Sequence, residues 1–154
     1  MAKNREILFR GKARKADVWF EGNLIRINNG ECERVWIKSI DSKTIEGAEV
    51  DPKTVGQYTG RKDKNGRKIF DGDIIKLSWV DSDGDSGQEI FVSVYSEEHA
   101  AFVRRVLLNG EFLRDEMLSQ EELNDDNAEI IGNIFDDAWN GVGGRNDSNE
   151  FIAE

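Results

Sequence analysis

Polar and apolar residues alternate along most of this chain in short runs separated by glycine- and asparagine-rich breaks, a period of two that predicts strands and turns. Arg5–Gly11 places Ile7 and Phe9 on one face and Glu6, Leu8 and Arg10 on the other, which predicts a first strand. The apolar run from Val18-Trp19-Phe20 to Ile27, the turn signal Asn28-Asn29-Gly30 and the run Arg34–Lys38 predict two paired strands, with Gly22 read as a bulge. Short extended pieces follow at Thr44-Ile45-Glu46 and Ala48-Glu49-Val50. They end at Pro52, the only proline, which pushes Asp51 toward extended geometry and marks a joint between lobes.

Turn signals are densest between Gly56 and Leu77. Asn65-Gly66 predicts a two-residue type I′ hairpin turn, because both central residues of that turn need positive φ. A second turn at Phe70-Asp71-Gly72-Asp73 feeds the strand-like run Ile74–Trp79. After the polar loop Val80–Gly87, Ile90, Val92 and Val94 alternate with Phe91, Ser93 and Tyr95, so both faces are partly apolar and a central strand of a barrel or sandwich is predicted. Ser96 is placed to cap a helical turn over Glu97–Ala101, and Phe102–Leu108 fits either helix or strand. Asn109-Gly110 predicts a hairpin into Glu111-Phe112-Leu113. Ser119-Gln120-Glu121-Glu122 matches a capping box, which predicts a short helix over 120–124, and Glu129–Phe135 reads as a closing strand. From Gly141 onward the chain has no apolar period, and a disordered tail is expected in which only Phe151-Ile152 offers a docking point.

The block Gln57-Tyr58-Thr59-Gly60, Lys62-Asp63-Lys64-Asn65-Gly66, Ile69-Phe70-Asp71-Gly72-Asp73-Ile74-Ile75, together with Ile130-Ile131-Gly132-Asn133-Ile134 and the opening Arg5–Arg10, resembles the YopX family of phage and prophage proteins. The resemblance runs from about Arg5 to Asp137. It implies a mainly β protein of α+β character, in which a small N-terminal α+β lobe (1–55) packs on a C-terminal SH3-like β-barrel lobe (56–140), followed by the tail at 141–154. It also implies a phage or prophage origin and a family with no established activity. Within the block, Gln57, Tyr58, Thr59, Gly60, Asn65, Gly66, Gly72 and Asp73 form the structural motif.

At 154 residues the chain suits one domain or two small lobes, and its four Trp and eight Phe favour a folded protein. The net charge of −10 is unevenly spread, with residues 1–70 carrying 16 Lys+Arg against 10 Asp+Glu and residues 71–154 carrying 5 against 21. Opposite halves of this kind suit head-to-tail self-association or a basic surface touching phosphate, although two merely solvated surfaces are the favoured explanation. With a single cysteine, Cys32, no apolar run near 18 residues and no leader-like start, a soluble protein of the host bacterial cytoplasm is expected, with no membrane role.

Candidate chemistry is sparse. Arg61, Lys62, Lys64, Arg67 and Lys68 surround Asn65-Gly66, and with Tyr58 and Phe70 beside them they form the candidate nucleic-acid-binding hairpin, since lysines neutralise phosphates while aromatics stack bases. A polar hairpin tip with core aromatics behind it is the competing reading. Asp81-x-Asp83-x-Asp85 spaces carboxylates as a calcium loop does, but Ser86 and Val92 stand where that loop needs Gly and Glu, so an acidic turn is favoured and no metal is assigned. His99 and Cys32 are the sole members of their types and lie in no nucleophile motif, and neither a Walker loop nor a dinucleotide fingerprint occurs. No catalytic residue, no cofactor and no enzymatic activity are therefore expected. The expectation is a non-catalytic protein-binding module with an unidentified host or phage protein partner and room for a homo-oligomer. The alternatives are nucleic-acid binding through the 61–68 hairpin, or acidic mimicry of a nucleic acid that inhibits a host enzyme.

Overall fold

The computed structural model describes residues 4–39, 47–109 and 111–136. The expected strand piece at Thr44–Glu46, Gly110 and the tail at 141–154 lie outside the described residues. By compactness the chain divides into two units, 1–60 and 61–154.

The first unit is built from β1 (Phe9–Lys12), β2 (Trp19–Asn28), β3 (Glu33–Lys38), β4 (Gly47–Val50) and the start of β5 (Gly56–Lys62), hydrogen-bonded in the order β4-β3-β2-β1-β5. Every one of these pairings is antiparallel. Val35, Ile37 and Val50 form the buried centre, with Phe9, Phe20, Leu24 and Val55 packed against it. Gly11 is buried beneath Val50, where a Cβ would come within 2.7 Å of that side chain. Pro52–Thr54 forms a single 3-10 turn, capped by the Asp51 side chain accepting from the Lys53 N–H. The Thr54 hydroxyl then accepts the Lys12 N–H and ties the turn to β1.

The alternation at 5–11 leaves the inward face open, and Leu8 and Arg10 are the buried pair; Ile7 precedes the ladder that starts at Phe9 and is 54% exposed, while the Arg10 guanidinium stacks 4.9 Å from the Trp19 ring. One expectation for this unit is corrected. Gly22 is not a bulge. It is the point where β2 passes from pairing with β1 (Phe9↔Gly22) to pairing with β3 (Asn23↔Lys38), and a Cβ there would sit 1.8 Å from the Lys38 carbonyl oxygen. The two backbones approach so closely that only glycine fits.

In the second unit, the last residues of β5 turn back into β6 (Lys68–Phe70). A five-stranded antiparallel sheet follows, from β7 (Asp73–Val80), β8 (Ser86–Ser96), β9 (Ala101–Leu108), β10 (Glu111–Met117) and β11 (Glu129–Asn133), in the order β10-β9-β8-β7-β11. Its helix α1 (Gln120–Asp125) precedes β11. Both faces of the sheet are apolar near its middle, as the double-sided pattern of β8 predicts. Ile75 pairs with Phe91 and belongs with Leu77, Val106, Leu123, Ala128 and Ile130, whereas Ile74 pairs with Val92 and belongs with Val94, Val103 and Ile134. Adjacent strand residues point to opposite faces, so a two-sided core needs this unbroken apolar run.

The chain is mainly β, as expected. The finer expectation differs from the pairing: β10 and β11 are the two edges of an open sheet, and the first unit carries strands and a 3-10 turn among its described residues. Phe102–Leu108 is strand. Ser96 does cap a single turn, its Oγ accepting the His99 N–H at 3.3 Å, and Ala100 at φ 51 closes the turn into β9. The helix after Ser119 is present, but its capping box is not. Ser119 makes no side-chain cap bond, and Glu122, which would complete the box, instead meets the Arg104 guanidinium at 3.1 Å. An ion pair to a cation on the adjacent sheet displaces the local hydrogen bond.

Candidate interface at the basic hairpin

Asp63 organises the hairpin, and it is not among the residues that the sequence marks for function. It is 4% exposed, and Oδ1 accepts the N–H groups of Asn65 and Arg67, both at 2.9 Å. Gly66 donates to the Asp63 carbonyl at 3.0 Å and stands at φ +77, while Asn65 keeps negative φ. The predicted two-residue type I′ turn is therefore a three-residue loop, a type I turn over Lys64-Asn65 followed by a left-handed glycine. The reason is Asp63 itself: its carboxylate satisfies the loop N–H groups and fixes the tighter first turn.

The other Asp63 oxygen leaves the hairpin. Oδ2 accepts the buried N–H of Ile130 at 3.2 Å, and the Lys64 N–H donates to the Ala128 carbonyl at 2.8 Å, so the loop covers part of the outer edge of β11. Gln120 of α1 holds the Lys62 backbone from both sides, its Oε1 accepting the Lys62 N–H at 2.9 Å and its Nε2 donating to the Lys62 carbonyl at 2.8 Å. The hairpin is thus a clasp on its own unit.

Among the five cations, Arg61 donates from Nε to the Leu118 carbonyl at 2.9 Å, and Lys64 lies 3.4 Å from the Glu129 carboxylate. Lys62 and Arg67 are exposed, and Lys68 is half-buried at the start of β6. Tyr58 is 7% exposed and Phe70 1%, so neither ring presents a face to a base. The remaining motif residues are backbone devices. Gln57 pairs with Phe9 in β5, Thr59 is half-buried, and Gly60 stands at φ +86. Gly72, at φ +93, donates to the Ser93 carbonyl and accepts the Ile134 N–H, and the buried Asp73 accepts the Phe70 N–H at 2.7 Å.

Asp81 repeats the Asp63 turn at the β7–β8 hairpin. Its Oδ1 accepts the N–H groups of Asp83 and Asp85, both at 2.9 Å, and Gly84 at φ +85 donates to the Asp81 carbonyl. Of the alternate carboxylates in Asp81-x-Asp83-x-Asp85, that of Asp81 is engaged by the turn itself, while Asp83 and Asp85 contribute backbone N–H groups, and among the described residues no three His, Cys, Asp or Glu side chains converge as metal ligands. The spacing Asp-x-x-Gly, shared by Asp63–Gly66 and Asp81–Gly84, is the signal in the sequence that identifies Asp63.

The acidic half is extensively cross-linked by arginine. Arg105 and Asp115 form a two-pronged pair at 3.0 and 3.1 Å, Arg114 reaches Glu89 at 3.0 Å, and Glu116 bonds both Arg114 and Arg104. Its hydrogen bond to Arg114 holds the Glu116 carboxyl below the usual carboxylate range, with Arg104 adding to the effect. His99 Nδ1 lies 2.8 Å from the Ser96 hydroxyl inside its capped turn, and Cys32 is exposed in the first unit.

A family model described as YopX protein matches residues 8–138. The chain belongs to the YopX family. The match takes in both Asp-x-x-Gly turns, the clasped hairpin and β11 of this YopX chain. No curated protein matches it. No helix of the described residues is long and apolar enough to cross a membrane.

Proposed function

We propose that this YopX-family chain is a non-catalytic protein-binding module of phage or prophage origin that acts in the host cytoplasm. One observation carries the reading: the second unit exposes large apolar side chains, Phe112, Leu113 and Met117 along edge strand β10 and Trp79 and Val80 at the end of β7. Large apolar side chains left exposed on a sheet edge and at a strand end suit a protein partner better than a polyanion. A homo-oligomer formed through the same side chains belongs to the same proposal. The SH3-like reading of the second unit is kept with it, supported by four sequential antiparallel strands and a short helix before the fifth.

Nucleic-acid binding through the hairpin is the second reading, favoured by the exposed Lys62 and Arg67. It is weakened by the burial of Tyr58 and Phe70, because sequence-tolerant single-strand binding relies on exposed rings. Acidic mimicry is weakened by the arginines that already neutralise Asp115, Glu116 and Glu89.

Affinity capture from phage-infected cells, with the triple variant Phe112→Ser, Leu113→Ser and Met117→Ser alongside wild type, tests the leading reading. A specific polypeptide recovered by wild type at defined stoichiometry is expected, and recovery of none counts against it. In parallel, Arg61, Lys62, Lys64, Arg67 and Lys68 are changed to Gln and binding to labelled DNA and RNA is measured at two salt concentrations. Salt-dependent affinity lost in that variant would replace the first reading with the second.

A further inference from the structure

Trp79 occupies an unusual place on the core face of the second unit. Along β7, Ile75, Leu77 and Trp79 share one face, and the first two are fully buried in its core. Trp79 comes one step beyond the core and is 36% exposed. Directly opposite on β8 stands Gly87, and a Cβ there would lie 2.5 Å from Trp79 Cζ2 and 2.7 Å from Cε2. The indole therefore lies across the bare backbone of Gly87, with one surface turned outward. Beside it is a groove of about 380 Å³. Ser78, Val80, Ser86, Gln88 and Asn127 complete its walls, with Asn127 held by its side-chain N–H donating to the Ser78 carbonyl at 3.4 Å. The Ser78 N–H donates to the Asp126 carbonyl at 2.7 Å, which anchors the turn after α1 beside the groove.

Charge selects what this groove takes. The lining residues Val80 and Ser86 are followed and preceded in the chain by Asp81 and Asp85, with Asp83 at the tip between them, and all three are exposed. Asp126 immediately precedes Asn127. Between Lys76 and Arg104 the sequence contains no lysine or arginine. An anionic ligand, nucleotide or nucleic acid, would meet the like charge of the β7–β8 turn at the rim, and Arg114, which approaches beside lining residue Gln88, is already paired with Glu89 at 3.0 Å. A cation would meet carboxylates at the rim and the electron-rich face of an indole, the best aromatic partner for arginine or lysine. Serine, glutamine and asparagine on the walls suit the backbone amides of an extended segment.

We infer that the Trp79–Gly87 groove binds an arginine- or lysine-bearing extended segment of a partner protein, with the cationic side chain on the indole and the β7–β8 acidic turn at its edge. The inference rests on the binding-module reading and adds the site and the chemistry of the partner.

The test is titration of the full chain, followed by backbone amide NMR, with a capped Gly-Arg-Gly-Arg-Gly peptide, its citrulline counterpart and a Gly-Glu-Gly-Glu-Gly peptide. Short peptides bind weakly, so concentrations reach about 5 mM. The arginine peptide is expected to shift the amides of 78–80, 86–88 and 127, saturably and less at high salt, while the citrulline and glutamate peptides bind at least roughly tenfold more weakly. Trp79→Ala and the milder Asp81→Asn/Asp85→Asn pair, which retains side-chain acceptors for the turn, should each weaken binding several-fold. Absent shifts, shifts elsewhere on the chain, or equal binding of the citrulline peptide would overturn the assignment. Concentration-dependent shifts of the same amides without peptide, abolished by the five-fold Gln variant of the 61–68 hairpin, would make a second copy the occupant and also overturn it. A captured partner that binds Trp79→Ala as well as wild type would overturn the groove while leaving the binding-module reading intact.

Discussion

Replacing Asp63 with alanine separates a turn-forming aspartate from one that also holds the fold. Its carboxylate accepts three backbone N–H groups, from Asn65 and Arg67 at 2.9 Å and from Ile130 at 3.2 Å. In Asp63→Ala the first two, in exposed residues, turn to water, for a net loss near ~0.5–1 kcal/mol each. The Ile130 N–H is buried on β11 and has no such recourse, which costs ~1–3 kcal/mol. Together these losses give an expected destabilisation of about 3–4 kcal/mol, the middle of the summed ranges, against a total of ~5–15 kcal/mol for a typical domain.

Asp81 supplies the internal control. It forms the same turn, also with two bonds of 2.9 Å, but at an exposed hairpin end and, among the described residues, with no third bond to a distant strand. Asp81→Ala should therefore cost only the two turn bonds, about 1–2 kcal/mol, and Asp63→Asn about 2 kcal/mol, because an amide keeps the Oδ1 role yet turns an NH2 toward the Ile130 donor. Urea unfolding with unchanged m-values gives the energies, and hydrogen exchange reads the Ile130 amide directly. If Asp63→Ala and Asp81→Ala agree within ~0.5 kcal/mol, or if Ile130 keeps its protection in Asp63→Asn, the clasp argument is wrong.

Three further outcomes are expected. Gly22→Ala should cost more than about 4 kcal/mol or unfold the first unit, since its Cβ would lie 1.8 Å from the Lys38 carbonyl oxygen; a dispersed, native-like NMR spectrum for residues 9–60 would contradict this. A double-mutant cycle on Arg105 and Asp115, whose side chains are 11% and 13% exposed and joined by two hydrogen bonds, should give a coupling of about 1–2 kcal/mol, and a value below ~0.3 would refute it. Glu116 has a depressed folded pKa, so its stabilising contribution is full above the ordinary carboxylate value near ~4.3 and is lost as pH falls through the folded value. The stability gap between wild type and Glu116→Gln should accordingly be widest near neutrality and close in acid, as measured by thermal melts across that range; a gap that widens in acid would reverse the sign argument.

What the residues disclosed in advance, and what they hid, follows one physical line. Period-two alternation and Asn-Gly or Ser-based turns are local, and they marked β2, β3, β7, β8 and the Ser96 turn, because a strand's faces and a turn's φ values are set within a few residues. The Asn65-Gly66 turn type fails locally, reset by Asp63 two residues upstream, and the other failures are long-range. Ser119 and Glu122 satisfy the capping-box spacing, yet Glu122 is taken by Arg104. Gly22 reads as a bulge until Lys38 is brought against it. Asp63 and Asp81 share one local pattern, and no local property distinguishes the aspartate that reaches a buried amide 67 residues away from the one that faces water. The same holds for function. The basic hairpin draws the eye in the sequence because its charges are contiguous, whereas Trp79 and Gly87 are eight positions apart and become a surface only when β7 and β8 pair. In this fold, contiguous charge marks a turn that holds its own sheet, and the stronger candidate for recognition is assembled across two strands.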